Sequence, residues 1–353
     1  MHMADALLAP AVAATMYVAS GTTAGLSIHH LKKDDNAQKL PTMAVTAALV
    51  FAGQMINYTI PGTGSSGHMC GGMLLSALLG PQAGFLSMIV VLTIQCLLFA
   101  DGGLMALGAN IWNMAFYGCF VGYYLIWRPI MRSRWFENLG PKAGQRARII
   151  AASIIGCIVT LQMGAFSVVL ETTLSGIMEL PFGAFCALMQ PIHLAIGLVE
   201  GLITAAVLSF VYETRPELIR EVDLSGQKES AAAQKPLPVV IISLAVAAAL
   251  VGGIFSHFAS GNPDGLEWAL FGNKDAGYSA NMGLDEENFG NSSAVSETAA
   301  AIQEKTSFLP DYAFAGSENP MGTTVSGLAG SAMVAAAVLM ICFAGHFFRG
   351  KKA

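Results

Sequence analysis

The sequence predicts an all-α membrane protein: a compact bundle of about seven helical segments followed by two C-terminal transmembrane helices. Three observations predict it. Of 353 residues, 54% are hydrophobic and 12% charged, where a soluble domain carries about 25% charge. Apolar runs that approach the roughly 20 residues a helix needs to cross a bilayer recur along the chain. The basic residues fall between those runs, in alternate connections.

The first segment, 7–29, reaches its inner end at His29 and His30, beside Lys32. The second, 41–59, leads into the glycine-rich stretch IPGTGSSGHMCGG. The third, 68–80, is short for a span and is expected to tilt or to sit at partial depth behind a re-entrant loop. The fourth, 84–100, ends at the turn FADGG. The fifth, 104–127, carries Asn110 and Asn113 on one face. After 147–170 comes 190–213, where His193, Gly197, Glu200, Gly201 and Thr204 share a helical face. The last two are 237–258 and 327–348.

Charge tests the topology. With the N-terminus outside and every segment crossing, the inside pieces are 30–40, 81–83, 128–148, 214–236 and 349–353. They hold 16 of the 18 Lys and Arg residues, leaving Lys274 and Lys305 outside. The positive-inside rule therefore predicts an outside N-terminus and a cytoplasmic C-terminus, and it requires the short third segment to count as a crossing. No basic region precedes the first apolar run, so signal cleavage is not expected. The six cysteines lie in apolar segments without a C-x-x-C pair and read as small buried hydrophobes.

Three parts follow: residues 1–213 with short connections, a polar cytoplasmic linker at 214–236 (EVDLSGQKESAAAQKP), and residues 237–353 with two spans around an outside loop, 259–326. That loop carries ten acids against two lysines. It is expected to be solvated and partly disordered, with an acidic face able to concentrate cations.

The chemistry sits at residues 1 and 2. A free α-amine is a nitrogen ligand, with a pKa near 7.7–8.0. A metal can displace the amide proton of His2, and Nδ1 of His2 then closes a second chelate ring. The planar peptide keeps these three nitrogens nearly coplanar. A second histidine would complete a square-planar N4 site, which suits Ni(II) or Cu(II) rather than Mg(II), Ca(II) or structural Zn(II). Of the seven histidines, His68 has the most suitable setting. It follows a glycine-rich loop on the side of residue 1 and is expected to open a helix whose N-terminal dipole keeps the ring neutral. An ordinary hydrogen-bonded histidine fits that position as well. Asp5 reads as a helix-end charge or as an acceptor supporting the ligands. Gln54, Asn57, Gln95, Asn110 and Asn113 either glue helices together or line a polar interior. Ala9 with Ala13, and Gly197 with Gly201, permit close helix contacts.

The opening MH, the stretches FAGQMINYTIPGTGSSGHMCGGMLLSALLGP, QCLLFADGGLMALGANIWNM and IGLVEGLITA, taken in order, resemble the CbiM/NikM family over residues 1–213. These are substrate-binding membrane components of energy-coupling-factor (ECF) transporters for cobalt and nickel. NPDGLEWAL and FLPDYAF resemble the PDGLE segment of the small auxiliary subunit, here fused. The resemblance implies a metal held by the Met1 amine, the amide and ring of His2, and the ring of His68, with supporting amides at Gln54, Asn57, Gln95 and Asn113. It implies a multi-pass protein of a prokaryotic plasma membrane, in contact with lipid. Its partners are a transmembrane coupling subunit and cytoplasmic ATPases, with Ni²⁺ or alternatively Co²⁺ as cargo, no cofactor and no nucleic acid. The sequence has no G-x-x-x-x-G-K-[ST] loop of its own. The opening MHMADALLAP departs from the MHIPDG more usual in cobalt-type members and leaves the metal open. Other classes fit less well. The sequence lacks the H-E-x-x-H or other His–carboxylate pair at ligand spacing that an intramembrane metalloenzyme would need, and, against a stand-alone channel or secondary transporter, its spans contain few of the carboxylates that the latter would use for proton coupling.

Overall fold

The computed structural model describes residues 1–31, 39–177, 181–224, 236–278, 284, 289–290, 292–314, 319 and 321–350. Of the basic residues, loop acids, cysteines and histidines counted above, Lys32, Lys33, Lys228, Lys235, Asp285, Glu286, Glu287, Glu318, Lys351 and Lys352 lie outside them, as do the side chains of Lys39, Cys342, His346 and Arg349.

The chain is helical almost throughout. Helices α1 (Pro10–Leu31) and α2 (Lys39–Gln54) precede a small antiparallel hairpin, β1 (Tyr58–Ile60) with β2 (Ser65–Gly67), in which Tyr58 faces Gly67 and Ile60 faces Ser65. Then come α3 (Gly72–Leu79) and α4 (Pro81–Phe99). Helix α5 (Leu107–Ile111) runs on into a π-helical stretch, Trp112–Trp127, and the short α6 (Arg128–Met131). Two long helices, α7 (Pro141–Ser175) and α8 (Phe182–Thr214), pair along their length. The C-terminal part adds α9 (Leu237–Gly253), α10 (Gly265–Phe271), α11 (Ala294–Thr306) and α12 (Met321–Gly350). Five helices, Pro10–Leu31, Pro81–Phe99, Pro141–Ser175, Phe182–Thr214 and Met321–Ile341, are long and apolar enough to cross a bilayer. This is a multi-pass, all-α membrane protein.

Several expected boundaries move. The second segment stops at Gln54 rather than 59, because Tyr58–Ile60 pairs with Ser65–Gly67 as a strand. The third helix begins at Gly72, and His68 lies in an irregular stretch before it. Helix α3 rises only about 12 Å, against a hydrocarbon core of about 30 Å. It follows the hairpin and the irregular residues 68–71, which are buried in protein. At the far end of α3, the Arg220 backbone N–H donates to the Ala77 carbonyl at 2.8 Å, and its guanidinium donates to the Leu79 carbonyl at 3.1 Å. Glu221 pairs with Arg132 at that same end. Gly197 and Gly201 allow α8 to close on α7: a Cβ there would fall 2.8 Å from the Ile158 Cα and 2.7 Å from the Ile154 Cα.

The largest correction concerns the loop at 259–326. Its described residues are not a solvated spacer. Ser66 donates its N–H to the Pro263 carbonyl at 2.8 Å, and the Ser260 N–H donates to the Asn57 carbonyl at 2.7 Å. Gln303 donates to the carbonyls of Cys96 and Gly102, at 2.9 and 2.7 Å. Tyr312 stacks on Phe99 with centroids 4.9 Å apart. One acid of this loop, Asp264, is mostly shielded, its side chain 17% exposed, and makes specific contacts.

Candidate metal site

The N-terminal residues are pulled into the bundle rather than left outside it. Met1 and Met3 are buried. Asn110 clamps the backbone of Met3 on both sides: its Oδ1 accepts from the Met3 N–H at 2.7 Å and its Nδ2 donates to the Met3 carbonyl at 3.2 Å. Gly103 adds a third bond to that carbonyl, at 2.9 Å. Asp5 accepts from the Ala106 N–H at 2.9 Å. Of the two expectations for Asp5, anchoring of the ligand strand is the one the contacts favour. These bonds fix where residues 1 and 2 lie.

The Met1 amine meets the carboxylate of Asp264, the acid of NPDGLE. The other oxygen of Asp264 caps α10, accepting from the Leu266 and Glu267 N–H groups at 2.7 and 2.9 Å, and Glu267 closes a capping box. Burial opposes ionisation of Asp264, but the adjacent ammonium outweighs it and holds the carboxyl below the usual range. His2 stacks on His68, with ring centroids 5.2 Å apart and planes 23° from parallel. Burial, reinforced by the ammonium, lowers His2 to about 3 and His68 to about 4. Both rings are therefore neutral and able to ligate a metal. Burial, not the helix dipole expected from the sequence, is the first cause for His68, which stands four residues ahead of α3.

His68 Nδ1 lies 3.0 Å from the Met69 carbonyl, so it bears the proton and leaves Nε2 as the donor atom. His2 Nδ1 lies 3.0 Å from Asp101 Oδ1, while its Nε2 is buried without a partner. Closing a chelate through Nδ1 thus requires His2 to leave Asp101. Tyr312 donates to the other oxygen of Asp101. The C-terminal part therefore touches both N-terminal residues, Met1 through Asp264 and His2 through Asp101.

The remaining predicted residues surround this pair. Gln54 donates to the Cys70 carbonyl at 2.7 Å and so braces the chain just after His68. Gln95, fully buried, lies beside His2 and the Tyr312 hydroxyl, yet both of its amide atoms lack a hydrogen bond. Asn113 donates to Glu171 at 2.7 Å and contacts the Met3 sulfur at 3.7 Å. Asn57 acts through its backbone on Ser260, with its side-chain oxygen unpartnered. Unpartnered buried polar atoms are rare in proteins; here they include His2 Nε2, both amide atoms of the neighbouring Gln95, and Asn113 Oδ1. Glu200 accepts from the Cys70 and Gly71 N–H groups at 2.8 and 2.9 Å and holds the same stretch from α8. Among the described residues, no three His, Cys, Asp or Glu side chains are placed to hold a metal by themselves.

Sequence reasoning gave no site role to Asp264, Asp101 or Tyr312, and it placed Asn110 only among the interior polar residues. The capping box D-G-L-E is readable in NPDGLE, but the partner of its free oxygen is not, because the two residues lie 263 apart.

Known proteins share this arrangement of sequence. The family described as the cobalt uptake substrate-specific transmembrane region, CbiM, matches residues 2–218, and the PDGLE domain matches 239–346. The putative fused nickel transport protein NikMN of Archaeoglobus fulgidus is 36% identical over 339 residues, covering 95% of this chain and 96% of its own. The fused nickel transport protein NikMN of Rhodobacter capsulatus is 28% identical, covering 96% of each chain. A solved structure described as a transition metal transporter matches with TM-score 0.51 and 29% identity, over 67% of this chain and 100% of that one.

Proposed function

Because this chain belongs to the CbiM family and carries a PDGLE domain in the same polypeptide, we propose that it captures Ni²⁺, or alternatively Co²⁺, for import. The two fused relatives are named as nickel transport proteins, and the family model is one of cobalt uptake. The ligands are the Met1 amine, the amide and ring nitrogens of His2, and Nε2 of His68, in a square-planar N4 set. One observation carries the reading: the buried Met1 amine and His2, whose side chain is 7% exposed, meet the neutral ring of His68. Deprotonated nitrogen donors are strong ligands for a borderline ion.

In this reading the ion enters from the outside face, where residues 1–5, the hairpin and the PDGLE segment meet. It displaces Asp264 from the amine and Asp101 from His2. Asp5 anchors the ligand strand, Gln54 supports the stretch after His68, Asn57 and Asn113 support the hairpin and Met3, and Gln95 offers its unpartnered amide to the His2 ring. Residues 1–213 form the metal-binding component, 214–236 the cytoplasmic linker and 237–353 the fused auxiliary part. The chain works as the substrate-specific subunit of an ECF-type importer, with a transmembrane coupling subunit and cytoplasmic ATPases, its N-terminus outside and its C-terminus cytoplasmic. Release inward follows when the partners' ATP cycle rearranges the bundle.

The test is an absorption titration of the purified chain with NiCl₂ and with CoCl₂. A yellow, diamagnetic planar Ni(II) complex that vanishes when the N-terminus is acetylated or extended by one residue is the expected result. Equal metal retention by the blocked chain would remove the site.

A further inference from the structure

The N4 reading leaves one buried imidazole near the site without a role. His193, in the first half of α8, is 1% exposed. Its Nδ1 lies 2.8 Å from the Met189 carbonyl. A carbonyl only accepts, so Nδ1 carries the proton and Nε2 the lone pair. That Nε2 is buried and meets no hydrogen-bond partner. A ring held through one nitrogen by a carbonyl, with a bare lone pair on the other, is the form in which histidine ligates metals.

Its surroundings are those of the site. A Cβ placed on Gly265 would fall 3.0 Å from the His193 Cε1 and 3.5 Å from Nε2, so the backbone of the Asp264–Gly265 step lies against the lone pair. Asp264, in that same step, holds the Met1 amine. The His193 ring is close enough to feel the charges of the Met1 amine and Asp264, and also the His68 ring.

We propose that His193 decides between the two candidate ions, its Nε2 taking the axial position on Co²⁺ but not on Ni²⁺ held by Met1, His2 and His68. The inference rests on the N4 reading above. Four strong coplanar nitrogens leave a low-spin d⁸ Ni²⁺ ion with no need of an axial donor. Low-spin d⁷ Co²⁺ in the same plane has its unpaired electron directed along the axis and takes a fifth ligand there. Capture itself makes room for that ligand: once the ion takes the amine, Asp264 loses its partner and the Asp264–Gly265 step is free to lift from Nε2. His193 thereby admits cobalt to a set of donors that otherwise suits nickel.

The test uses the full chain in detergent, loaded with CoCl₂ or NiCl₂. Low-spin Co²⁺ with one axial imidazole shows three-line nitrogen splitting in its electron paramagnetic resonance spectrum, and two lines with ¹⁵N-histidine. The wild-type chain is expected to show both patterns. In His193→Gln the splitting is expected to be lost and the Co²⁺ affinity to fall about 10-fold or more, a loss typical for groups that tune a metal site, with Ni²⁺ affinity unchanged. A wild-type spectrum without axial nitrogen overturns the proposal with no variant needed. So does a His193→Gln chain that weakens both ions alike or neither. A chain extended by one residue at its N-terminus tests the N4 reading separately: tight binding there sinks that reading, whatever His193 does.

Discussion

The N-terminal amine of Met1 forms an ion pair with the carboxylate of Asp264, 263 residues further along the chain. Two parts of the polypeptide meet at the nitrogen that the proposed site assigns to the metal. The carboxylate holds the amine in place, and it also competes with the ion by favouring the protonated form.

This competition has a sign. Burial alone would lower the amine's pKa, but Asp264 outweighs burial and the net shift is upward. A group raised on folding stabilises fully below its unfolded value and loses that contribution as pH climbs through the folded one. Asp264, held low, contributes above the ordinary carboxylate range and loses its share as pH falls through its depressed value. The pair therefore stabilises the ion-free protein across neutral pH and weakens in alkali. Metal affinity should rise with pH, since binding expels protons. In Asp264→Asn the rise should begin at lower pH. Competition titrations with Ni²⁺ from about pH 6 to 9 measure this; superimposable profiles for the two proteins would show that Asp264 does not set it.

Much of this arrangement was legible in the sequence, and the failures have physical causes. Composition and the spacing of apolar runs gave the membrane bundle, because burial in lipid imposes long uncharged helices. That Met1, His2 and His68 belong together was suggested by the local chemistry of a chelating terminus, and the structure stacks His2 on His68 beside the buried Met1. Tyr58–Ile60 looked like the end of a helix because its apolar run continues that of α2; only pairing with Ser65–Gly67 makes it a strand. The loop at 259–326 looked solvated because its acids dominate its composition. What orders its described part is long-range: Asp264 on Met1, Tyr312 on Asp101, Gln303 on Gly102. No local pattern records such partners.

Asn110 holds the Met3 backbone by both its amide oxygen and its amide nitrogen. Asn110→Ala leaves a buried N–H without an acceptor, which costs about 1–3 kcal/mol. It also frees the strand that carries His2. A lower unfolding temperature together with roughly 10-fold weaker metal binding is expected. Restored affinity in Asn110→Gln would not fit, because the longer side chain displaces the strand it must hold.

Glu200 does for His68 what Asn110 does for His2. Its two oxygens each accept one N–H, from Cys70 and Gly71. Glu200→Gln keeps one acceptor and turns an amide N–H₂ toward the second donor. Bonds to charged acceptors are worth about 1.5–3 kcal/mol, so a loss of about 2 kcal/mol in stability is expected. Metal affinity should fall with it, while the stacking of His2 on His68 loosens. Thermal unfolding and Ni²⁺ titration of the same preparation check both effects, and a variant equal to wild type in each would show that the clamp is idle.

Gly102 allows the smallest change next to a proposed ligand. Its φ is +79°, and a Cβ there would fall 2.8 Å from Asn110 Nδ2 and 3.2 Å from the His2 Cβ. Gly102→Ala therefore combines a left-handed backbone cost of about 1–2 kcal/mol with a push on both the clamp and the ligand. Gly140, at φ +81° and with no neighbour within 4 Å, separates the two effects. Gly140→Ala carries the backbone cost alone and should lower stability without touching metal affinity. Gly102→Ala should lower both, with affinity falling by about 10-fold or more because the donor His2 is displaced. Side-by-side Ni²⁺ titrations decide it: if the two variants bind alike, contact between residue 102 and His2 does not shape the site, and the burial of His2 beneath the 101–103 turn is only packing.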